Sequence, residues 1–181
     1  MIDFSPATPF TGLTTTASFK ENSRKILLGG NNVVLEIDTT IGTEAVTMTY
    51  TGFTGSINRI LPLEGSNFFL AAGGNRIVYK FDRTLAASQA QSASLSNYIR
   101  DIVKSRDSAG YILVTDFSTA IKVLDVTTGV SSISIINNSG NYNINMVAAS
   151  SVHVQEFAFT DDNGGDDVVR VILTGTSASV Q

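Results

Sequence analysis

The chain resembles itself, and that constrains its fold more than any other feature it has. Three runs can be set beneath one another: Ser23–Val46 (SRKILLGGNNVVLEIDTTIGTEAV), Ser66–Ala90 (SNFFLAAGGNRIVYKFDRTLAASQA) and Ser108–Ser132 (SAGYILVTDFSTAIKVLDVTTGVSS). Each has an apolar run, a small polar turn, then an alternating run that ends in aspartate. The aspartates are Asp38, Asp82 and Asp125, spaced 44 and 43 residues apart. Leu28, Leu70 and Leu113, spaced 42 and 43, read as one equivalent position. A fourth, drifted copy has its apolar run at Phe157–Thr160, an enlarged turn at Asp161–Asp167 and a second run at Val168–Leu173. Leu173 stands there where the others have aspartate, and terminal repeats are commonly atypical.

Each copy fills out to four short strands. The first is predicted at Thr14–Phe19, Lys25–Leu28, Val33–Ile37 and Ala45–Thr51, and the second at Ile57–Leu63, Phe68–Ala72, Arg76–Phe81 and Ser88–Ala93. The third is predicted at Ile99–Lys104, Gly110–Val114, Ala120–Leu124 and Ser131–Ile136, and the fourth at Ile144–Ala149, Val154–Phe159, Val168–Leu173 and Ser177–Val180. Val33, Leu35 and Ile37 alternate with Val34, Glu36 and Asp38, the period-two pattern of a strand. Gly29-Gly30-Asn31-Asn32, Gly73-Gly74-Asn75 and Ser118-Thr119 separate the runs, and Gly and Asn suit tight hairpins. Leu85–Leu95 (LAASQAQSASL) has helical composition, but the repeat assigns it to a fourth strand.

Four-stranded units of about 40–45 residues have the period of propeller blades. The fold expected is all-β, with about four four-stranded antiparallel blades, a half or small propeller. The approximate blades are 11–53, 54–96, 97–140 and 141–181 of a single domain, with 1–10 as a possible closing strand. A β-sandwich is the alternative, but a sandwich needs no internal repeat. Ile121-Lys122-Val123-Leu124-Asp125-Val126-Thr127-Thr128-Gly129 resembles the third strand of a WD40 blade and its Asp-x-x-Thr-Gly turn, with Leu124 in the tryptophan position. Asp38-Thr39-Thr40-Ile41-Gly42 and Asp82-Arg83-Thr84 are weaker versions. The chain departs from that family in having no Trp and no Gly-His pair, so the family's His–Asp network is missing. The resemblance implies a propeller-like fold and a protein-binding or scaffolding role. Closure remains open between a four-bladed ring, two chains forming an eight-bladed ring, and a larger assembly that supplies further blades.

Composition narrows the function. Hydrophobic residues make up 43% and charged residues 15%, which suits a packed core. A net charge of −4 with no basic stripe argues against nucleic-acid partners. No apolar run is long enough to span a membrane as a helix. Met1–Phe10 (MIDFSPATPF) lacks the regions of a signal peptide. The absence of cysteine excludes disulfides and thiolate sites. Compartment stays unassigned, since the Ser/Thr/Asn/Gly-rich composition suits extracellular and cytoplasmic proteins alike.

Catalytic motifs are scarce. The sole histidine, His153, sits between Val152 and Val154 with no nucleophile elbow near it. Gly29-Gly30 and Gly73-Gly74 precede strands, not the helix a phosphate loop requires. Asp161, Asp162, Asp166 and Asp167 gather oxygen ligands of the kind calcium takes, but their spacing is not that of an EF-hand, and a solvated turn is the simpler reading. Recurrence of Asp38, Asp82 and Asp125 at strand ends points to turn capping. Asn137-Asn138-Ser139 is a glycosylation sequon. No catalytic residue or cofactor is assigned. The function expected is a non-enzymatic interaction or scaffold module whose partner is another protein or further copies of itself. The contact rim is expected at Asn31, Asn32, Asn75, Phe117 and Ser118. The alternatives are a self-assembling subunit of a filament, shell or surface layer, and, less favoured, a propeller hydrolase or lyase.

Overall fold

A computed structural model describes residues 15–19, 22–40, 45–104, 111–115, 120–137, 144–150, 156–161, 168–174 and 177–180. They form sixteen strands in four antiparallel sheets, each sheet running through its strands in chain order. The first blade holds β1 (Thr15–Phe19), β2 (Asn22–Gly29), β3 (Val34–Asp38) and β4 (Ala45–Tyr50). The second holds β5 (Ile57–Pro62), β6 (Phe68–Gly73), β7 (Val78–Asp82) and β8 (Ser88–Gln91). The third holds β9 (Asp101–Lys104), β10 (Tyr111–Thr115), β11 (Ala120–Asp125) and β12 (Ser131–Asn137). The fourth holds β13 (Ile144–Ala149), β14 (Glu156–Asp161), β15 (Val168–Thr174) and β16 (Ser177–Val180). This is the propeller-type repeat expected from the sequence, and four sheets rather than two set the sandwich aside. The alanine-rich Leu85–Leu95 forms β8 at its centre and no helix, because pairing with β7 overrides local propensity.

The first strands touch in series, β1 on β5, β5 on β9 and β9 on β13. Alternation gives each sheet a leading face towards the next blade and a trailing face towards the previous one. On the first blade Leu27, Val34 and Tyr50 lead, and they pack on Ile60, Phe69, Ala71, Tyr79 and Phe81 of the second. On the second blade Leu70, Ala72 and Val78 lead onto Ile102, Ile112, Val114 and Leu124 of the third. The core is therefore a row of dry seams between sheets. Its densest part is aromatic. The rings of Phe69 and Phe81 stack at 5.1 Å, and Tyr50 meets them edge-on at 4.9 and 5.7 Å. Phe53, in the link between the first two blades, stands edge-on to Phe81 at 5.3 Å. Edge-to-face geometry matches the positive ring edge to the negative ring face.

Register corrects one sequence equivalence. Lys25, Phe68 and Tyr111 pair with the three strand-end aspartates, so Leu27, not Leu28, corresponds to Leu70 and Leu113. The β2–β3 hairpin of the first blade is one residue shorter than the β6–β7 hairpin, since Gly29 pairs with Val34 whereas Ala72 pairs with Val78. A one-residue slip changes faces, and Leu28 accordingly lies on the trailing face with Leu35 and Ile37. In the fourth blade Val147, Phe157 and Phe159 are buried while Ala148 and Thr160 are exposed. Matching that buried face to the trailing faces of the other blades puts Ile172, the partner of Glu156, at the aspartate position, and Leu173 one place beyond it.

A β-bulge recurs at one place in three blades, between Glu36 and Ile37, Lys80 and Phe81, and Val123 and Leu124. Bulges sharpen the local twist and bend the outer strand across its sheet. Gly73 is fixed by close approach, because a Cβ there would lie 1.8 Å from the Ser56 carbonyl oxygen. Replacing Phe81, fully buried among four other rings, by alanine is expected to lower unfolding free energy by about 3–5 kcal/mol. Urea unfolding followed by far-ultraviolet circular dichroism measures it, and a loss below about 1 kcal/mol would show that the ring cluster does not hold the first seam.

Candidate functional site

Two kinds of polar feature stand out above this frame: a rim of hairpin turns, and charged side chains buried in the seams. The rim is made by the β2–β3 and β6–β7 turns with the links that lead into β5 and β9. Each turn holds the link to the next blade by backbone bonds. Ile57 N donates to Gly30 O at 3.1 Å, and Ile99 N donates to Gly73 O at 3.1 Å. Asn32 N donates to Gly55 O at 3.0 Å, and Gly74 N donates to Ser56 O at 2.9 Å. Asn31 and Asn32 are exposed on this rim, and Asn32 takes the left-handed conformation at φ 60 that asparagine tolerates. Asn75 is half-buried and structural. Its amide donates to the Tyr79 hydroxyl at 2.6 Å, and its side-chain oxygen accepts from Ile77 N at 3.3 Å. Its neighbour Arg76 is exposed at φ 66, a rim residue the sequence reading passed over. Its signal was its place directly after Gly-Gly-Asn in a hairpin turn. Phe117 and Ser118 lie outside the described residues, as do His153, Asn138 and Ser139, and Asp162, Asp166 and Asp167 of the acidic turn. Asp161 closes β14. Among the described residues no group of three or more metal-ligating side chains occurs.

The recurrent aspartates are turn caps, as their spacing suggested. Asp38 Oδ1 accepts from Thr40 N at 2.9 Å and from its hydroxyl at 2.6 Å. Asp82 does the same with Thr84 at 2.8 and 2.7 Å, and Asp125 with Thr127 at 2.8 and 2.6 Å. Hydrogen bonds from Thr40 hold the Asp38 carboxyl below its usual range, and those from Thr84 do so for Asp82.

Charged residues buried at the bulges reach from one blade into the turn of the next. Glu36 accepts from Lys25 Nζ and from Arg83 Nε, each at 2.8 Å, and from the Thr47 hydroxyl at 3.0 Å. Arg83 belongs to the second blade and follows Asp82. Lys80, at the same register place one blade on, donates to Val126 O at 2.6 Å and Thr127 O at 3.1 Å, just past Asp125. Its ammonium also lies 4.5 Å from the centre of the Phe68 ring. Burial pushes the Glu36 carboxyl up, but the Lys25, Arg83 and Thr47 hydrogen bonds outweigh it and hold the group below 4.5. Burial pulls Lys80 below 10.5, against the charge of Asp125. Burial also raises the Tyr50 phenol, whose hydroxyl donates to Arg83 O at 3.2 Å. Near the axis, Arg59 Nε donates to Asp101 Oδ1 at 2.8 Å, and Asp101 Oδ2 accepts from Val147 N at 3.2 Å, tying β5, β9 and β13 together. The sequence reading missed these seam residues, whose signal was a charge at a period-two core position.

No family model and no curated protein matches this chain. Among solved structures it is similar to a chain in the crystal structure of a mitotic checkpoint complex, with a TM-score of 0.76 at 10% identity. The similarity covers 88% of this chain and 48% of that one, so the chain spans about half the length of its structural neighbour. At that identity the likeness establishes the fold alone, an all-β, propeller-type fold, in agreement with the strand order.

A carboxyl held below its unfolded value stabilises the folded state fully above that value, and its contribution is lost as pH falls through the folded value. Stability carried by Glu36 is therefore present above about 4.5 and lost below it. Glu36→Gln is expected to lower stability at pH 7 and to flatten its decline as pH falls below the ordinary carboxylate value of 4.5. Parallel urea titrations of both proteins check this, and equal slopes would show that Glu36 is not the group responsible. Arg83→Ala, which leaves a buried carboxylate with one cation fewer, is expected to cost about 3 kcal/mol.

Proposed function

We propose that this chain is a non-enzymatic interaction module that holds a protein partner on its rim of hairpin turns. One observation carries the reading. The exposed Asn31, Asn32 and Arg76 sit on turns locked to neighbouring links by cross-blade backbone bonds, so polar groups are presented with little left to order on binding. The polar, mixed character of the rim suits a protein surface better than a polyanion. The structural neighbour is itself a chain of a complex, which supports a role in assembly.

A second reading makes the chain a self-assembling subunit, and the exposed Ala148 and Thr160 of the fourth blade favour it. Both readings are tested with the purified chain as bait in extracts of its own source. Asn31→Glu combined with Arg76→Glu is expected to reduce capture of specific partners by about tenfold or more, with stability changed by no more than about 0.5 kcal/mol. Thr128→Glu, on an exposed turn of the third blade, serves as control and is expected to leave capture unchanged. Equal capture by the double variant and the parent chain would sink the rim reading.

A further inference from the structure

We infer that the partner held on the rim is an acidic stretch of a protein chain, whose carboxylates meet three arginines gathered where the second blade joins the third. This rests on the reading of the chain as a rim-binding module and names the chemistry of what is bound. Three observations carry it.

The first is where the backbone places the arginines. Gly73 O accepts from Arg76 N at 3.2 Å and from Ile99 N at 3.1 Å, so one carbonyl joins the β6–β7 turn to the link into β9. Ile99 O in turn accepts from Asn58 Nδ2 at 2.9 Å. Arg100 follows Ile99, and Arg59 follows Asn58. The β5–β6 register shifts between Ile57 and Arg59, an irregularity of the kind that re-aims a side chain. Arg59, Arg76 and Arg100 therefore stand around one hydrogen-bonded node, although they are far apart in sequence.

The second is how each is held. Arg76 is exposed at φ 66, and its carbonyl accepts from Leu95 N at 2.8 Å. Asn32 holds the same place in the first blade, at φ 60. Asparagine suits that left-handed conformation better than arginine does, so the second blade keeps a strained residue there and with it an exposed cation. The Arg100 guanidinium lies 5.0 Å from the centre of the Tyr98 ring, and its Nη2 donates to the Tyr98 hydroxyl at 3.2 Å. The ring fixes the plane of the guanidinium. Arg59 is tied through Nε to Asp101 while 40% of its side chain is exposed. Guanidinium groups oriented in advance lose little freedom on binding, and their paired donors match a carboxylate.

The third is charge. The chain carries −4 overall, yet among the described residues around this node the carboxylate is Asp101, set against three cations. Asp101 is 7% exposed and serves the frame. Its Oδ1 accepts from Arg59 Nε at 2.8 Å and Ile102 N at 3.0 Å, and its Oδ2 from Val147 N at 3.2 Å. Asn31 pairs with Ser56, whose carbonyl accepts from Gly74 N at 2.9 Å, so uncharged amides flank the arginines. Such a surface fits carboxylates spaced along a peptide rather than the unbroken charge of a nucleic acid.

Fluorescence anisotropy with a labelled peptide of alternating glutamate and serine tests this, beside the same peptide with glutamine for glutamate. The glutamate peptide is expected to bind saturably at low salt, at least about tenfold more tightly than the glutamine peptide. Arg76→Asn installs the residue the first blade uses at that place, so the turn is kept. It is expected to weaken the glutamate peptide about tenfold with an unchanged urea midpoint, and Arg76→Lys is expected to fall between the two. Arg24→Glu, exposed at the opposite end of its blade, removes more positive charge and is expected to leave binding unchanged. Absence of saturable binding overturns the inference. So does equal affinity for the two peptides, equal loss in Arg76→Asn and Arg24→Glu, or tighter Arg76-dependent binding of single-stranded DNA. Capture that is lost in the variant carrying Asn31→Glu and Arg76→Glu, but is not competed by the glutamate peptide, overturns the acidic partner alone. Peptide binding through Arg76, with capture indifferent to that variant, overturns the rim reading alone.

Discussion

A four-stranded sheet has two faces, and neither becomes dry unless another layer lies on it. Everything else in this molecule depends on that requirement. None of the sheets has a core of its own. Leu27, Val34 and Tyr50 are buried because the second blade covers them, and Phe69 and Phe81 because the first does. The aromatic cluster in this seam supplies area and also alignment, since rings that stack and meet edge-on tolerate little sliding. The seam between the second and third blades is aliphatic, built on Leu70, Val78, Ile112 and Leu124. It is given direction by another device, the ammonium of Lys80 bound to backbone oxygens across the gap.

Buried charge in such seams is costly unless satisfied, and Glu36 and Lys80 each have an identifiable partner set. Glu36 is held by two cations and a hydroxyl; Lys80 by two carbonyl oxygens and a ring face. The bulge beside each residue accounts for the placement. An extra residue on the outer strand opens the ladder at that point. The side chain there can then leave the sheet plane towards the turn of the next blade, which an aspartate and a threonine hold in a fixed shape. Opposite charges at Glu36 and Lys80 do the same mechanical task because the turn offers a guanidinium in one case and carbonyls in the other.

The frame was legible because its signals are periodic. The aspartate spacing, the glycine–asparagine turns and the alternation of Val33–Asp38 are all local, and all agree. Faces were less legible than strands. Leu28 and Leu70 looked equivalent because a repeat is aligned by letters, whereas a hairpin one residue shorter moves a whole strand to its other face. Asn75 resembled Asn31 in sequence, but a tyrosine hydroxyl four residues on claims its amide. The seam latches were hidden for a related reason. Glu36 and Lys80 are single charges in otherwise apolar strands, and only the neighbouring blade makes their side an interior.

The latches also set how order decays through the chain. Glu36 and Arg83, like Lys80 and Thr127, are 47 residues apart, so each spans one repeat and no more. Cohesion passes from neighbour to neighbour, as in a stack of cards gripped at successive edges. Amide protons of the second blade, gripped on both sides, should therefore be among the last to exchange with solvent. A molecule built this way loses structure blade by blade, and the blade latched on both sides carries the memory of the fold longest.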